Sequence, residues 1–337
     1  MKMKKLRVAL IYGGAGAEHE ISLRGGEFLL RHIDRDRYIP HPIVIGRDGT
    51  WRSGEDGAPV TVRLTKDGAR IARSGRGVKI DVAFPLLHGD FGEDGRIAGF
   101  LETLGIAYVG CDVLSGAVAL DKLLCKAVAE SLGIPTVRGI SLTEPMSADA
   151  ARELAEDKVG YPMFIKPSGL GSSVGAARVE CPEEFNSAYL DALSYGERIL
   201  IEEYLADRRE LECAYFDGID DPYLPPSEVI PSGVYSYAEK YSDTSHARCV
   251  VRAKVTSGIQ ATLRDYCERL VKSVGIRQLS RIDFFLSDGV LYFNEINTMP
   301  GFTEASLFPL SVEAAGVSNT ELISRLIDGA YRRSISL

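Results

Sequence analysis

The chain alternates between continuous apolar runs, which predict strands buried on both faces, and apolar positions three and four apart, which predict helices. Residues 6–12 form the first such run, rich in branched side chains and stopped by Gly13 and Gly14. A helix is predicted over 18–32, and further strands over 43–45 and 82–86. Residues 47–77, rich in Gly, Asp and Arg, predict a meandering surface segment. Alternation resumes through "GFLETLG" and "AYVG", so a small doubly wound α/β unit with a parallel sheet is expected to end near residue 112. Val118, Leu120, Leu123, Leu124, Val128 and Leu132 then recur at helical spacing, predicting one helix over 115–132 with Gly133 as its stop.

A second architecture follows. "MFIKPSGLGSSVGAARV" reads as strand, Gly/Ser loop, strand, with the apolar runs at 163–165 and 174–179. Residues 199–204 read as another strand or a hinge, and alternating strands are expected to dominate from there to residue 297. "SRIDFFLSDGVLYFNEIN" reads as a hairpin with a three-residue loop, Ser287, Asp288 and Gly289, the Gly taking the left-handed position. That loop sets Asp283 opposite Phe293 and Arg281 opposite Glu295. Arg281, Asp283, Glu295 and Asn297 then share one face, and Tyr292, Asn294 and Ile296 the other. A two-residue loop would shift the register by one and part Asp283 from Glu295. Ser318 with Glu321 three residues on is a capping box for a last helix, whose Leu322, Ile323, Leu326 and Ile327 face the core. The expected organisation is α/β followed by α+β, divided into 1–112, 113–206 and 207–337.

Composition narrows the function classes. The 337 residues are 45% apolar and 26% charged with a net charge of -8, which argues against a general nucleic-acid surface. Six cysteines without a C-x-x-C pair and only five His are poor for a zinc site and fit reduced thiols. "MKMKKLRVALIYGG" has too short an apolar run for a signal peptide, and nothing approaches the roughly 20 apolar residues of a membrane span. A soluble cytoplasmic protein with neither nucleic acid nor membrane as partner is expected.

Several segments carry candidate chemistry. In "FNEINTMPG", two oxygen donors sit two residues apart before a Pro-Gly corner; with Asp283 they suit a hard cation such as Mg²⁺. The same face could instead be a solvated hairpin with an Arg–Glu cross-strand pair. "KPSGLGSSVG" offers Lys166, Ser172, Ser173 and backbone N–H groups to a phosphate, or is a flexible surface turn. It is neither a Walker A loop nor a Rossmann fingerprint, which leaves an oxidoreductase poorly supported. Lys122 in "LDKLLCK" is a second cation for phosphate or a solvated helix Lys. Glu202, Glu203 and Glu210 in "IEEYLADRREL" are acceptors for a base and a ribose, or an ordinary acidic loop. Glu18 in "GGAGAEHEISL" follows a strand at a helix start, where it either holds an ammonium or caps the helix. His88 in "HGDFGEDG" follows a strand end and points into the cleft of such a fold.

Taken together, "GGAGAEHEISL", "LLHGDFGEDGRIAGFLE", "ALDKLLCK", "KPSGLGSSVG", "EKYSD", "RIDFF" and "NEINTMPGFTEASLFP" resemble the D-alanine:D-alanine ligases of the ATP-grasp superfamily, in order from about residue 6 to 310. The resemblance implies a two-domain ATP-grasp fold behind the N-terminal unit, and ATP and D-alanine as substrates. It implies two Mg²⁺ ions, or Mn²⁺, on Asp283, Glu295 and Asn297, with Glu295 bridging. Lys122 and Lys166, with Ser173 nearby, would bind phosphates. Glu202 and Glu203, with the backbone around Tyr204 and Leu205, would hold adenine, and Glu210 the ribose. Glu18 would take the first substrate's ammonium and form a triad with Ser172 and Tyr241. His88 would line that side, and Arg281 with the Gly301 N–H would hold the oxyanion. Lys240, Ser306 and Leu307 would receive the second substrate's carboxylate. The implied reaction makes an acyl phosphate and then an amide, for peptidoglycan precursors, in an expected homodimer. Tyr241 favours an amine over D-lactate as second substrate, with D-serine the alternative. "SDTSHARCVVRAKV" departs from the common Pro-Ala pattern, and "ADRREL" is about one residue longer than in some members, which weakens the ribose assignment. A regulatory protein with a dead site would not need both metal ligands and an oxyanion donor.

Overall fold

A computed structural model describes residues 4–65, 68–73, 76–230 and 248–335. The first apolar run becomes β1 (Leu6–Gly13), at the centre of a five-stranded sheet ordered β3-β2-β1-β7-β8. Its neighbours β2 (Tyr38–Ile45) and β7 (Val82–Leu86) run parallel to it, as does β8 (Ala107–Tyr108) to β7, while β3 (Trp51–Ser53) closes one edge antiparallel. Helix α1 (His19–His32) lies against this sheet at close range: a Cβ at Gly26 would stand 2.4 Å from the Tyr12 ring. At the end of β1, Gly13 has φ +98°, and a Cβ there would meet the Ile45 carbonyl oxygen at 2.3 Å. Only glycine permits this turn, and the turn carries Glu18 over the sheet's C-terminal edge.

Residues 47–77 are not the meander expected. Besides β3 they form β4 (Val60–Thr65) and β5 (Gly68–Arg73), which with β6 (Arg76–Lys79) make a three-stranded antiparallel sheet. Its buried Ala69 and Ile71 join Ile11, Ile43 and Ile80 in one core. Charged residues on the solvent face diluted the apolar signal, but a half-buried strand needs only alternate apolar positions.

The helix expected over 115–132 is two helices, α3 (Val113–Leu120) and α4 (Lys122–Ser131). The break is Asp121, extended at ψ 103°, whose carboxylate accepts from the N–H groups of Leu123 and Leu124. A side chain that caps so well terminates one helix as it starts the next. Asp121 also accepts from Ser168 Oγ at 2.6 Å and pairs with Arg198 at 2.9 Å, which ties the start of α4 to the base of the glycine-rich loop.

That loop joins β10 (Met163–Pro167) to β11 (Ala177–Val179), a later start than the expected 174. With β9 (Gly139–Leu142) and β12 (Ile199–Glu203) they form a four-stranded antiparallel sheet ordered β11-β10-β12-β9. Two helices, α5 (Ala148–Lys158) and α6 (Pro182–Ser194), share a core with it through Ala151, Ala155, Phe185 and Tyr189.

The third sheet is ordered β15-β14-β13-β16-β17, from β13 (Arg209–Phe216), β14 (Ser227–Ile230), β15 (Arg248–Val250), β16 (Leu279–Ser287) and β17 (Val290–Asn297). The expected run of strands is interrupted by helix Ser257–Val274, capped by the Thr256 hydroxyl and closed by left-handed Gly275. Its Leu263, Cys267, Leu270 and Val271 pack with Phe284 and Phe293, and with Cys125 and Ala129 of α4. The last helix, Asn319–Ile335, carries the expected cap, Ser318 Oγ accepting from Glu321 N–H at 3.3 Å. Its Leu322, Ile323, Leu326 and Ile327 enter the core of Leu10, Phe28 and Phe84, fastening the third sheet to the first. Among the described residues no helix is long and apolar enough to cross a membrane.

Candidate active site

The hairpin β16–β17 sets the acidic residues, by a route that differs from the expected one. Its turn has two residues, Asp288 and Gly289, both left-handed at φ +49° and +76°, and Ser287 pairs with Val290. Two positive φ values are the signature of the tight hairpin turn whose twist matches the strands. Continued evenly, this register would have parted Asp283 from Glu295. A β-bulge between Asp283 and Phe284 absorbs the extra residue, Asn294, so Phe284 pairs with Phe293 but Asp283 pairs with Glu295 and Arg281 with Asn297. The bulge also brings Asn294 to the cleft, where its Oδ1 accepts from Lys166 Nζ at 3.2 Å, rather than leaving it on the opposite face. Outside β17 the edge is closed, because Phe293 N–H donates to the Pro135 carbonyl at 2.8 Å.

Arg281 anchors the acidic face. Its guanidinium grips Asp283 with two hydrogen bonds (2.8 and 2.6 Å) and lies 3.3 Å from Glu212 on β13. Burial alone would lower the Arg281 pKa, but Asp283 and Glu212 raise it well above the usual value. Glu295 is 3.3 Å from Lys122 Nζ, which also donates to the Leu170 carbonyl at 2.6 Å. Asn297 Oδ1 accepts from Met299 N–H at 3.0 Å. Among the described residues no three acidic, His or Cys side chains converge as a ready metal cage. Two carboxylates and an amide on one hairpin, the carboxylates already balanced by cations, are nevertheless a hard-oxygen donor set.

Lys122 and Lys166 are buried, not solvated. Lys166 Nζ is 2.7 Å from Glu202 Oε2, and Lys126 Nζ, which sequence reasoning missed, is 2.6 Å from Oε1. Burial would raise the Glu202 pKa, yet Lys126 and Lys166 outweigh it and bring it to about 2. Burial lowers that of Lys166, with Glu202 opposing. Beyond Glu202, Glu203 pairs with Arg138, and Glu210 with Arg208 at 3.0 Å. Tyr204 N–H is committed to the Pro162 carbonyl, and its ring lies under the guanidinium of Arg178 at 4.1 Å. The Leu205 carbonyl accepts from Arg208 at 2.9 Å.

On the other side, Glu18 makes no side-chain cap to α1; its carboxylate accepts from Ser172 Oγ across 154 residues of sequence. Ser172 and Ser173 both hold left-handed backbones (φ +54° and +58°) in the loop that makes this approach. His88 is buried; Nδ1–H donates to the Met299 carbonyl at 2.9 Å, and Nε2 has no partner among the described residues. Burial lowers its pKa, so the ring is neutral. Ser306 Oγ accepts from Thr303 N–H at 3.1 Å and, if Gly301 bore a Cβ, would lie 2.8 Å from it. Leu307 begins the helix Leu307–Ala314. Lys240 and Tyr241 lie outside the described residues.

Glu93 was also missed, although "HGDFGEDG" contains it. It is buried, accepts from Gly89 N–H at 3.1 Å, and burial together with the charge of Glu18 pushes its pKa up to about 8. The unfolded chain ionises near 4.5 and the folded one near 8, so in that window unfolding releases a proton and stability falls as pH rises. Glu93→Gln is therefore expected to gain melting temperature over the parent as pH goes from 5 to 8. Parallel thermal melts of the two proteins would refute this by showing a constant offset.

These residues line two clefts. One holds Lys166, Ser173, Glu202, Tyr204, Leu205, Glu210 and Asp283; the other holds Glu18, His88, Glu93, Asn297, Gly301, Ser306 and Leu307. Both are bordered by Lys122, Ser172, Glu212, Arg281 and Glu295. Known proteins resemble the chain over nearly its whole length. A family profile described as "D-ala D-ala ligase N-terminus" matches residues 7–111, and one described as "D-ala D-ala ligase C-terminus" matches 128–328. The chain is 37% identical to "D-alanine--D-alanine ligase A" of Mesorhizobium japonicum, covering 98% of each, and 38% identical to a D-alanine--D-alanine ligase of Streptococcus equi subsp. equi, covering 96% of each. Among solved structures it resembles "D-alanyl-alanine synthetase A" from Vibrio cholerae (TM-score 0.88, 32% identity, 98% of this chain and 99% of that one). It also resembles the "VanG D-Ala:D-Ser Ligase" from Enterococcus faecalis (TM-score 0.86, 29% identity, 97% and 100%). With both profiles matched in order and relatives aligned from end to end, the chain belongs to the D-alanine--D-alanine ligase family.

Proposed function

We propose that the protein joins two D-alanine molecules through an acyl phosphate, with ATP as co-substrate, in three parts spanning 1–112, 113–206 and 207–337. The observation that carries this is the shared border of the two clefts, where Lys122, Arg281 and Glu295 line both, one cleft suited to a nucleotide and the other to an amino acid. A carboxylate must meet a phosphoryl group at such a border. Lys122 and Lys166 hold phosphate oxygens, Glu202 accepts from the base, and Glu210 from the ribose. The Glu18 carboxylate holds the first substrate's ammonium, and Ser172 keeps Glu18 aimed. The unpartnered Nε2 of neutral His88 is left to face that substrate. Arg281 and the Gly301 N–H stabilise the oxyanion, and the start of helix Leu307–Ala314, with Ser306, receives the second substrate's carboxylate. Mg²⁺, held by Asp283, Glu295 and Asn297, would neutralise phosphate charge when bound. The free thiols at all six cysteines suit a cytoplasmic setting, and the resemblance points to a homodimer.

Phosphate release measured with ATP, Mg²⁺ and D-alanine alone should show turnover, and its absence would sink this reading. Greater turnover on adding D-serine would favour the second reading, which the likeness to a D-Ala:D-Ser ligase structure supports.

A further inference from the structure

Lys126 lies one helical turn after Lys122 on α4, yet unlike Lys122 and Lys166 it borders neither cleft. Its ammonium is buried between Glu202 Oε1 at 2.6 Å and the Phe293 carbonyl at 3.2 Å. Glu202 thus has a cation for each oxygen: Lys126 on the inside, and Lys166 on the cleft side. Two buried lysines on one buried carboxylate leave a surplus positive charge, which is costly unless a second anion is due to arrive. Lys166 is the one able to meet it, because it borders the nucleotide cleft beside Lys122.

We propose that Lys126 is a positioning residue for nucleotide binding: when phosphates draw Lys166 away, Lys126 stays on Glu202 and keeps that carboxylate ionised and in place to accept from the base. This rests on the ligase reading above. The second contact matters too, because Phe293 is the last residue before the bulge. Lys126 therefore ties the base acceptor on β12 to the strand that carries Asn294 and Glu295. The other groups set against Glu202 do not substitute for it. Lys166 comes from β10, Lys122 is engaged with Glu295 and the Leu170 carbonyl, and the facing residue of β9 is Gly139.

Without Lys126, departure of Lys166 would strand a buried carboxylate, and such a group takes up a proton rather than remain charged. Nucleotide binding would then consume a proton and weaken with rising pH by up to about tenfold per unit. In the parent, Glu202 at about 2 is ionised throughout the neutral range, and no such coupling arises from it.

The test is calorimetric titration of ATP with Mg²⁺, without D-alanine, into the full-length protein at pH 6 to 9 in buffers of different ionisation enthalpy. Lys126→Met is expected to take up close to one additional proton per nucleotide at the lower end, less once the pH passes the raised pKa of the stranded carboxylate, and to lose affinity with rising pH in between. Lys126→Arg should restore the parent profile, and Lys126→Met with Glu202→Gln should show no extra uptake. Parent-like proton uptake in folded Lys126→Met would overturn the proposal and leave Lys126 a packing residue. If Lys126→Met does not fold, extra uptake in the double variant, or a pH-dependent loss in Lys126→Arg, overturns it. Failure of the parent to bind ATP would instead count against the ligase reading itself.

Discussion

Arg281→Met is expected to lower kcat/KM for dipeptide synthesis by about 10²–10³ or more, the loss typical of one oxyanion donor in a dry site. The fold should suffer as well. The guanidinium holds Asp283 by two hydrogen bonds and approaches Glu212, and all three side chains are largely buried. Removing one partner of such a group leaves the others uncompensated, a loss of about 3–5 kcal/mol. Arg281→Lys separates the two effects. It keeps the charge near Asp283 and Glu212 but loses the planar fork, so most of the stability should return and most of the activity should not. Initial-rate kinetics alongside urea denaturation reads both, and a Met variant with activity within a few fold of the parent would remove Arg281 from the oxyanion role.

Phe293→Ala should be the most damaging core change near the site. Phe293 is fully buried, meets the Phe284 ring edge-on at 5.9 Å, and immediately precedes the bulge. Truncating a buried Phe typically loses about 3–5 kcal/mol through lost transfer energy and the cavity left behind. Phe293→Leu should lose much less, because it retains most of the volume. Denaturation midpoints for the two variants check the order. Equal midpoints would mean that this core collapses around the missing ring and that the bulge does not depend on it.

Much of this was readable residue by residue. The continuous apolar runs at β1 and β7 read as strands buried on both faces, and the parallel pairing of β1 with β2 follows from helix α1 between them. The Glu295-x-Asn297 spacing and the Ser318 cap are local signals, satisfied within a few residues, and both appear in the fold, whereas the hairpin turn has two residues, Asp288 and Gly289, and not the three expected. Other local signals were present and passed over. Ser147 caps α5, Pro182 opens α6, and Thr256 and Gly275 bracket the helix Ser257–Val274. These helices cover sheets with one face only, so their mean apolar content is low and their periodicity is the sole sign.

What the sequence by itself determined is therefore the kind of chemistry: which oxygens, which cations and which glycines, in an order that matches one family. What only the tertiary structure decided is which of them meet. The turn at Asp288 and Gly289 would have parted Asp283 from Glu295, and they face each other because a bulge takes up Asn294 on a strand whose outer edge is held by Pro135 and Lys126. Glu18 could have capped its own helix, but the loop carrying Ser172 folds back to it. A lysine such as Lys126 reads as solvated on any helix, and it becomes a buried counter-ion only when α4 closes against β12 and β17. Spacing along a chain dictates what a side chain can do, whereas burial, which sets the strength of its charge, is a property of everything packed around it.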